Sequence, residues 1–423
     1  MAVHTMTDLI QMQSLPLEVK VRMTAQRADR WVDEFGEEGV YVSFSGGKDS
    51  TVLQDIIRNV CGYKKIPSVF VDVPTQYPEL KQFATSFENV EVLKPKISFM
   101  DVCERYGFPL ISKEVSGAVY DAKRYLTRVL ESAESLQTDR QTDRQTDEIV
   151  HGFWACADVV GIPRRGKFAE SENYLNLKKG IIPDDVLQRI TPREIYEKYK
   201  DVITPPVRAQ MMYGEVRHKE KGVLTDEYSK KYDKSKYEFF LQAPFDISDR
   251  CCKVMKKAPV HQYAKDTGRM PMTAQMADES ELRKSNWLKY GCNGFNMKSP
   301  ISNPMSFWTE QDVLQYIKTR NLPICSVYGD VVIDYEKMGE LQGQSFLFET
   351  GNEPLRTTGC ERTGCVLCGF GCHLEKPGEG RFEMLKQTHP KYYALLDVCK
   401  NNGITYREAI EWLNEHGDLN IRL

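Results

Sequence analysis

Apolar residues recur near helical spacing from Leu17 to Phe35, broken by charges, so residues 1–37 are expected to be helical. The pattern then changes. Residues 39–45 (GVYVSFS) form a short β-branched and aromatic run, which predicts a strand. Residues 51–60 return to a helical pattern. Residues 67–73 (PSVFVDV) are a second apolar run, as expected of a parallel strand buried on both faces. A helix over 78–87 and a third strand over 90–93 follow. Strands alternating with helices predict an α/β fold with a doubly wound, mostly parallel sheet. Such sheets bind ligands at the carboxyl ends of their strands.

Beyond this core the pattern weakens. Residues 137–148 repeat the tetrapeptide QTDR nearly three times and offer no apolar residue to bury, so they read as a solvated loop or an exposed helix extension. Residues 151–240 are rich in charge and punctuated by Pro192, Pro205 and Pro206, which predicts short helices and loops. Residues 381–423 contain two amphipathic helices with a break at His389 and Pro390. The expected organisation is an N-terminal helical segment (1–37), a first part of the core (38–130), a charged helical insert (131–244), a second part of the core carrying most cysteines (245–375), and C-terminal helices (376–423).

Composition narrows the function. The chain has 423 residues and a formal net charge of -3, so contact with nucleic acid would need a local basic patch. Arg164, Arg165 and Lys167, or Lys230 and Lys231, offer one, although a solvated surface is the simpler reading. No run of 18 apolar residues exists, and the first twenty residues lack a basic start followed by an apolar core. A cytoplasmic protein with no membrane partner is expected. Its twelve cysteines then point to metal or redox chemistry rather than a disulfide framework. Eight of them fall between Cys251 and Cys372.

The first chemical motif is Ser45, Gly46, Gly47, Lys48, Asp49 and Ser50, between the first strand and its helix. Gly46 and Gly47 can take positive φ, letting the backbone approach a ligand. The helix N-terminus suits an anion. Ser45 and Ser50 add hydroxyls, and Lys48 adds a charge for phosphate oxygens. The spacing differs from the P-loop NTPase pattern, which places four residues between its first glycine and its Gly-Lys pair.

The motif resembles the SGGxDS loop of the ATP pyrophosphatase superfamily. Residues 69–79 (VFVDVPTQYPE), with Asp72, Tyr77 and Glu79, resemble the DTGxxYPE element of phosphoadenosine phosphosulfate (PAPS) reductases, with Gln76 near the family's glycine. Residues 107–114, including Ser112 and Lys113, resemble the family's G(F/Y)PxxSKE segment. Residues 277–283, ending at Arg283, are similar to its G(I/M)RxxES element but lack the early arginine. Residues 308–313 resemble a WTxxDV helix with Thr309 as N-cap, which reads as structural. The resemblance spans roughly residues 39–125 and 245–375. It implies that Ser43, Ser45, Gly46, Gly47, Lys48, Asp49, Ser50, Asp72, Lys113 and Arg283 contact an adenine nucleotide, ATP or APS/PAPS. Trp287, Lys289, Lys298, Ser302, Asn303 and Pro304 are expected to continue the cleft wall.

The second motif is Cys251 and Cys252 with Cys365 and Cys368 more than a hundred residues on. Four thiolates suit zinc as well as an iron–sulfur cluster. Resemblance to APS-type reductases implies a [4Fe-4S] cluster, with zinc as the other occupant. Cys360 and Cys372 flank the segment as alternative ligands or redox thiols, and are the candidate catalytic cysteines beside Lys48 and Asp49. Cys292 is a further candidate. Cys61, Cys103, Cys156 and Cys399 read as packing residues.

Two reactions remain open. The family's reductases use a cysteine in a C-terminal ECGLH tail, which this sequence, ending DLNIRL, does not show. The preferred expectation is therefore an enzyme that cleaves ATP to AMP and pyrophosphate with Mg2+, adenylates an acceptor and transfers sulfur to it. DNA phosphorothioation sulfurtransferases are relatives of this kind. Nucleic acid or a small acceptor, and a cysteine desulfurase-type donor, would be its partners. The alternatives are an adenylyl-sulfate reductase with a thioredoxin-like reductant, releasing sulfite, and a non-catalytic nucleotide sensor.

Overall fold

The computed structural model describes residues 4–137, 191–220, 223–342, 353–378 and 380–423. The QTDR repeat beyond Gln137, Cys156, and the Arg164, Arg165 and Lys167 cluster lie outside the described residues. The chain forms two compact units, each built from two separate stretches. The first combines Met1–Lys96 with Met255–Cys365, and the second Ile97–Val254 with Val366–Leu423. The stretch 38–130 is divided at Lys96, and 245–375 is divided at Val254 and again at Cys365.

The first unit holds a six-stranded sheet in the order Val90–Leu93, Ser68–Val71, Val40–Ser43, Met270–Met272, Ile301–Ser302, Asn293–Gly294. All neighbours are parallel except the last pair. Successive strands step outward on one side of Val40–Ser43, and Met270–Met272 lies on its other side. The order therefore reverses at Val40–Ser43, the switch point at which doubly wound sheets place ligands. Both faces of this strand are covered. Val40 and Val42 pack among Ala28, Trp31, Val52, Ile56 and Trp308, while Tyr41 packs on Tyr263. The apolar run that predicted the strand is thus buried on both sides, as parallel strands require.

Helices Met6–Gln13 and Leu17–Phe35 confirm the helical start. Helix Glu310–Arg320 begins at Thr309, whose side chain accepts from the Asp312 amide in a reciprocal cap. Asp312 also pairs with Lys20, which is only 3% exposed along its side chain, at 2.7 Å. This helix packs along Lys48–Asp55, where the Tyr316 hydroxyl donates to Asp55 at 2.6 Å. The start of Glu310–Arg320 is thereby held near the start of Lys48–Asp55.

In the second unit, helix Lys113–Gln137 is the longest described element. It buries Lys123, whose ammonium donates to the carbonyls of Ala243 at 2.8 Å and Phe245 at 2.7 Å. Leu110–Ile111 pairs in parallel with Gly369–Phe370. Phe108 stacks on Tyr406 at 4.6 Å, tying the start of the unit to its C-terminal stretch. The described part of the expected helical insert contains helices Pro192–Tyr199 and Val207–Met212, but also an antiparallel hairpin, Arg217–Glu220 with Val223–Tyr228. Helices Arg381–Thr388 and Pro390–Tyr393 meet at the expected break, and Tyr406–His416 follows. No described helix is long and apolar enough to cross a membrane.

Candidate functional site

The loop at residues 45–50 leaves the carboxyl end of the switch-point strand. Gly46 has φ +72°, and a Cβ there would lie 3.0 Å from the Leu80 carbonyl oxygen, so only glycine fits without strain. Gly47 does not use that freedom. Its φ is -78°, and what limits it is space, because a Cβ would lie 3.1 Å from the Tyr328 hydroxyl. Helix Lys48–Asp55 starts immediately, three residues before the apolar pattern marked it.

The two serines hold the loop together. The Ser45 amide donates to Ser50 Oγ at 3.2 Å, the two hydroxyls lie 3.0 Å apart, and Ser50 Oγ donates to the Gly47 carbonyl at 2.9 Å. The Lys48 amide donates to the Tyr328 hydroxyl at 3.2 Å, which also bonds Thr363 at 2.7 Å. Ser43 lies in the strand register opposite Val69.

Charge is concentrated here. Lys48 Nζ is buried between Glu310 Oε1 at 3.0 Å, the Glu361 carbonyl at 2.9 Å and Asp49 Oδ1 at 3.8 Å. Burial works against its charge, but Asp49 and Glu310 outweigh it and hold the ammonium above its usual range. Asp49 Oδ1 is closed off from solvent and has no hydrogen-bond partner. Burial raises the Asp49 carboxyl; Lys48 opposes this, Glu310 adds to it, and Arg362 and Arg283 oppose it. Arg283 pairs with Glu279, and burial together with Arg362 depresses its guanidinium. Three cations and two carboxylates, besides the Glu279 that pairs with Arg283, therefore surround one loop, a composition suited to a polyphosphate and its counter-ion.

Other expected site residues scatter. Asp72 pairs with Lys81 at 2.7 Å. Trp287 and Asn303 line a cavity with Arg283, whereas Lys289 and Lys298 are exposed and do not line it. Lys113 is exposed in the second unit. Cys292, 7% exposed, accepts from Arg27 Nε at 3.1 Å. Cys360 belongs to the loop's own unit, and its thiol lies 3.9 Å from the Tyr77 hydroxyl. Glu310 and Tyr328 were not singled out by sequence, because their meaning depends on what folds beside them.

The four expected cysteine ligands divide between the two units. Cys251 and Cys252 share the short helix Arg250–Cys252 of the second unit, which also holds Cys368, while Cys365 is the last residue of the first. Among the described residues, no three His, Cys, Asp or Glu side chains are grouped to hold a metal ion. The second unit instead gathers Cys368, Cys372, Cys103 and Cys251 around the buried Tyr406 hydroxyl. Burial first, and then these sulfurs, push that hydroxyl far up. Tyr406 donates to the Leu367 carbonyl at 3.1 Å, and the Cys372 thiol lies 3.5 Å from the Cys368 carbonyl.

A parallel sheet with a phosphate-suited loop at its switch point defines a mixed α/β protein of the nucleotide-binding kind. The family model described as phosphoadenosine phosphosulfate reductase domain matches residues 206–369. This supports the PAPS reductase family and, with it, an adenine-nucleotide-related, sulfur-handling enzyme. The match begins within the segment expected to be an insert and does not include the loop at 45–50. No curated protein and no solved structure matches the chain.

Proposed function

We propose that the chain binds ATP at Ser45–Ser50, adenylates an acceptor with release of pyrophosphate, and transfers sulfur to the activated position. The observation that carries this is the pairing of Lys48 with two carboxylates, Asp49 and Glu310, at the loop. Mg2+ keeps most of its waters and needs only one or two carboxylates besides phosphate oxygens, so Asp49 and Glu310 are a sufficient protein contribution. The cation neutralises the triphosphate. Lys48, released from Glu310, then meets the phosphates, and Arg283 and Arg362 supply further positive charge. Nucleic acid or a small molecule is the acceptor class, and a persulfide-bearing desulfurase the donor class.

A second reading, reduction of an adenylyl sulfate to sulfite, is favoured by one observation. The Cys360 thiol stands beside Tyr77 in the loop's own unit, where it would serve as the nucleophile on sulfur.

Incubation with ATP and Mg2+ is expected to release pyrophosphate. Sulfite from APS or PAPS with thioredoxin, and no pyrophosphate from ATP, would establish the second reading instead. ATP that raises Tm without any turnover would mark a nucleotide sensor. The response should also depend on pH. Asp49 must be ionised to hold the cation, and its carboxyl is raised above 3.8. The ATP-induced rise in Tm with Mg2+ is therefore lost on acidification at a pH above that of an ordinary aspartate.

The [4Fe-4S] cluster, with zinc as the other occupant, belongs to this proposal as a question of loading, with Cys251, Cys252, Cys365 and Cys368 as the thiolates that would hold it. Protein purified without oxygen is expected to be brown with a broad charge-transfer absorption. A colourless preparation containing zinc would remove the cluster.

A further inference from the structure

A second cavity, of about 330 Å3, lies against helix Glu281–Tyr290 in the first unit. Trp287, Tyr290 and Gly291 line both this cavity and the one that contains Arg283. Arg283 and Asn303 line only the latter, so the two spaces share one wall and stay separate. Small-molecule sites run from about 300 to 1,000 Å3, and this cavity falls at the lower end. Helix Leu17–Phe35 contributes Met23, Arg27 and Arg30 to it, and Met12 comes from Met6–Gln13. The His4 ring stacks on Trp287 at 4.6 Å, and the His4 amide donates to the Leu288 carbonyl at 3.0 Å. Met12, Met23, Trp287, Tyr290 and Phe295 make the lining largely apolar and aromatic. Thioethers make favourable contacts with ring edges, so this lining suits a flat ring.

The charge in this lining is of one sign. Arg27 and Arg30 belong to it, and no Asp or Glu does. Arg27 is half-buried and anchored. Its Nε donates to Cys292 Sγ at 3.1 Å and its Nη1 to the Met23 carbonyl at 2.7 Å, and its guanidinium lies 4.8 Å from the centre of the Phe307 ring. Neither acceptor supplies a negative charge. The carbonyl is neutral, and burial pushes the Cys292 thiol up, with Arg27 opposing it, so the sulfur stays protonated. Arg27 Nη2 makes no hydrogen bond among the described residues. A rigid guanidinium without a counter-ion, beside an apolar space, is the complement of a carboxylate on an apolar body.

We propose that this cavity is a second binding site, for a small planar aromatic carboxylate. The ring lies among the methionines and aromatic side chains, and the carboxylate accepts from Arg27. Arg30, which is exposed, adds charge at the rim. An inorganic anion alone would leave the apolar lining uncovered, and a neutral aromatic would leave Arg27 without a counter-ion. Because the shared wall separates this space from the cavity of Arg283, the ligand is bound independently of ATP at the phosphate loop.

The probe is para-fluorobenzoate, followed by fluorine NMR as the full chain is added. The wild type is expected to broaden its resonance saturably. Its uncharged analogue, para-fluorobenzamide, is expected to bind at least about tenfold more weakly, because it cannot form the charge-assisted pair. Arg27→Gln should weaken the benzoate at least about tenfold, and Arg30→Gln about threefold, since an exposed charge is screened. Arg30 lies at the surface, so its variant can be compared even where Arg27→Gln does not fold. No saturable broadening in the wild type, equal binding of the amide, or an affinity that neither variant lowers overturns the proposal. Displacement of the probe by ATP with Mg2+ would put it in the nucleotide site and overturn the proposal too. The probe contains no nucleotide, so a failure of pyrophosphate release leaves this site standing, and its own failure leaves adenylation untouched.

Discussion

Lys48→Ala is expected to lower pyrophosphate release at least about a hundredfold, the scale seen when one preorganised donor to a developing anion is removed. The reason lies in what surrounds the ammonium. Lys48 Nζ is the cation between Asp49 at 3.8 Å and Glu310 at 3.0 Å. Without it the two carboxylates face an incoming triphosphate with less positive charge between them. Binding then suffers as well as turnover, so the ATP-induced rise in Tm should shrink in parallel. Lys48→Arg is not expected to restore activity, because a planar guanidinium cannot replace a compact ammonium in the space closed by the Glu361 carbonyl and the Tyr328 ring. Turnover that is unchanged in Lys48→Ala would take the loop out of the reaction.

The largest stability effect is expected in the other unit, at Lys123→Met, with a loss of about 3–5 kcal/mol. Lys123 is 1% exposed and lies 3.4 Å from Asp246, which is 2% exposed. Burial depresses the lysine ammonium, and Asp246 counters this. Methionine fills the volume but leaves the Asp246 carboxylate without its cation and the carbonyls of Ala243 and Phe245 without their donor. Urea unfolding followed by hydrogen exchange in peptides of the second unit reads the change. The double variant Lys123→Met with Asp246→Leu should recover much of the loss, because removing a buried pair together costs far less than breaking it. A single variant as stable as the wild type would show that the pair contributes nothing.

Some of this was legible in the sequence because it was local. The run at residues 39–45 carries its own burial pattern, and the two glycines and two serines that follow define a strand–turn–helix by themselves. The strand Met270–Met272 was not legible. It is three residues long with Pro271 at its centre, and a proline argues against a central strand. It is accommodated beside Val40–Ser43, with Pro271 in register with Tyr41. The hairpin at 217–228 was missed because its Val223–Tyr228 strand is mostly exposed and has no apolar face to alternate.

The site was legible to the same extent. Lys48 and Asp49 sit in the motif, but Glu310 and Tyr328 become meaningful only through helix packing and a turn that the chain reaches more than two hundred and fifty residues later. The cysteines were grouped by family resemblance, with Cys365 and Cys368 three positions apart. The chain passes from one unit to the other between Cys365 and Val366, so closeness along the sequence does not establish a shared ligand set.

The pairing of Val40 with Met270 has a consequence for how the protein is made. At about 5–20 residues per second, the ribosome needs roughly 10–50 s to deliver the second neighbour of the central strand after the strand itself. During that interval a mostly apolar strand has one hydrogen-bonding edge open, the condition under which nascent chains pair with one another. The residues that close over the phosphate loop, Tyr328 and Glu361, arrive later still. A cell that makes this protein must therefore shelter an unfinished sheet, and a high rate of synthesis is expected to cost yield before it costs activity.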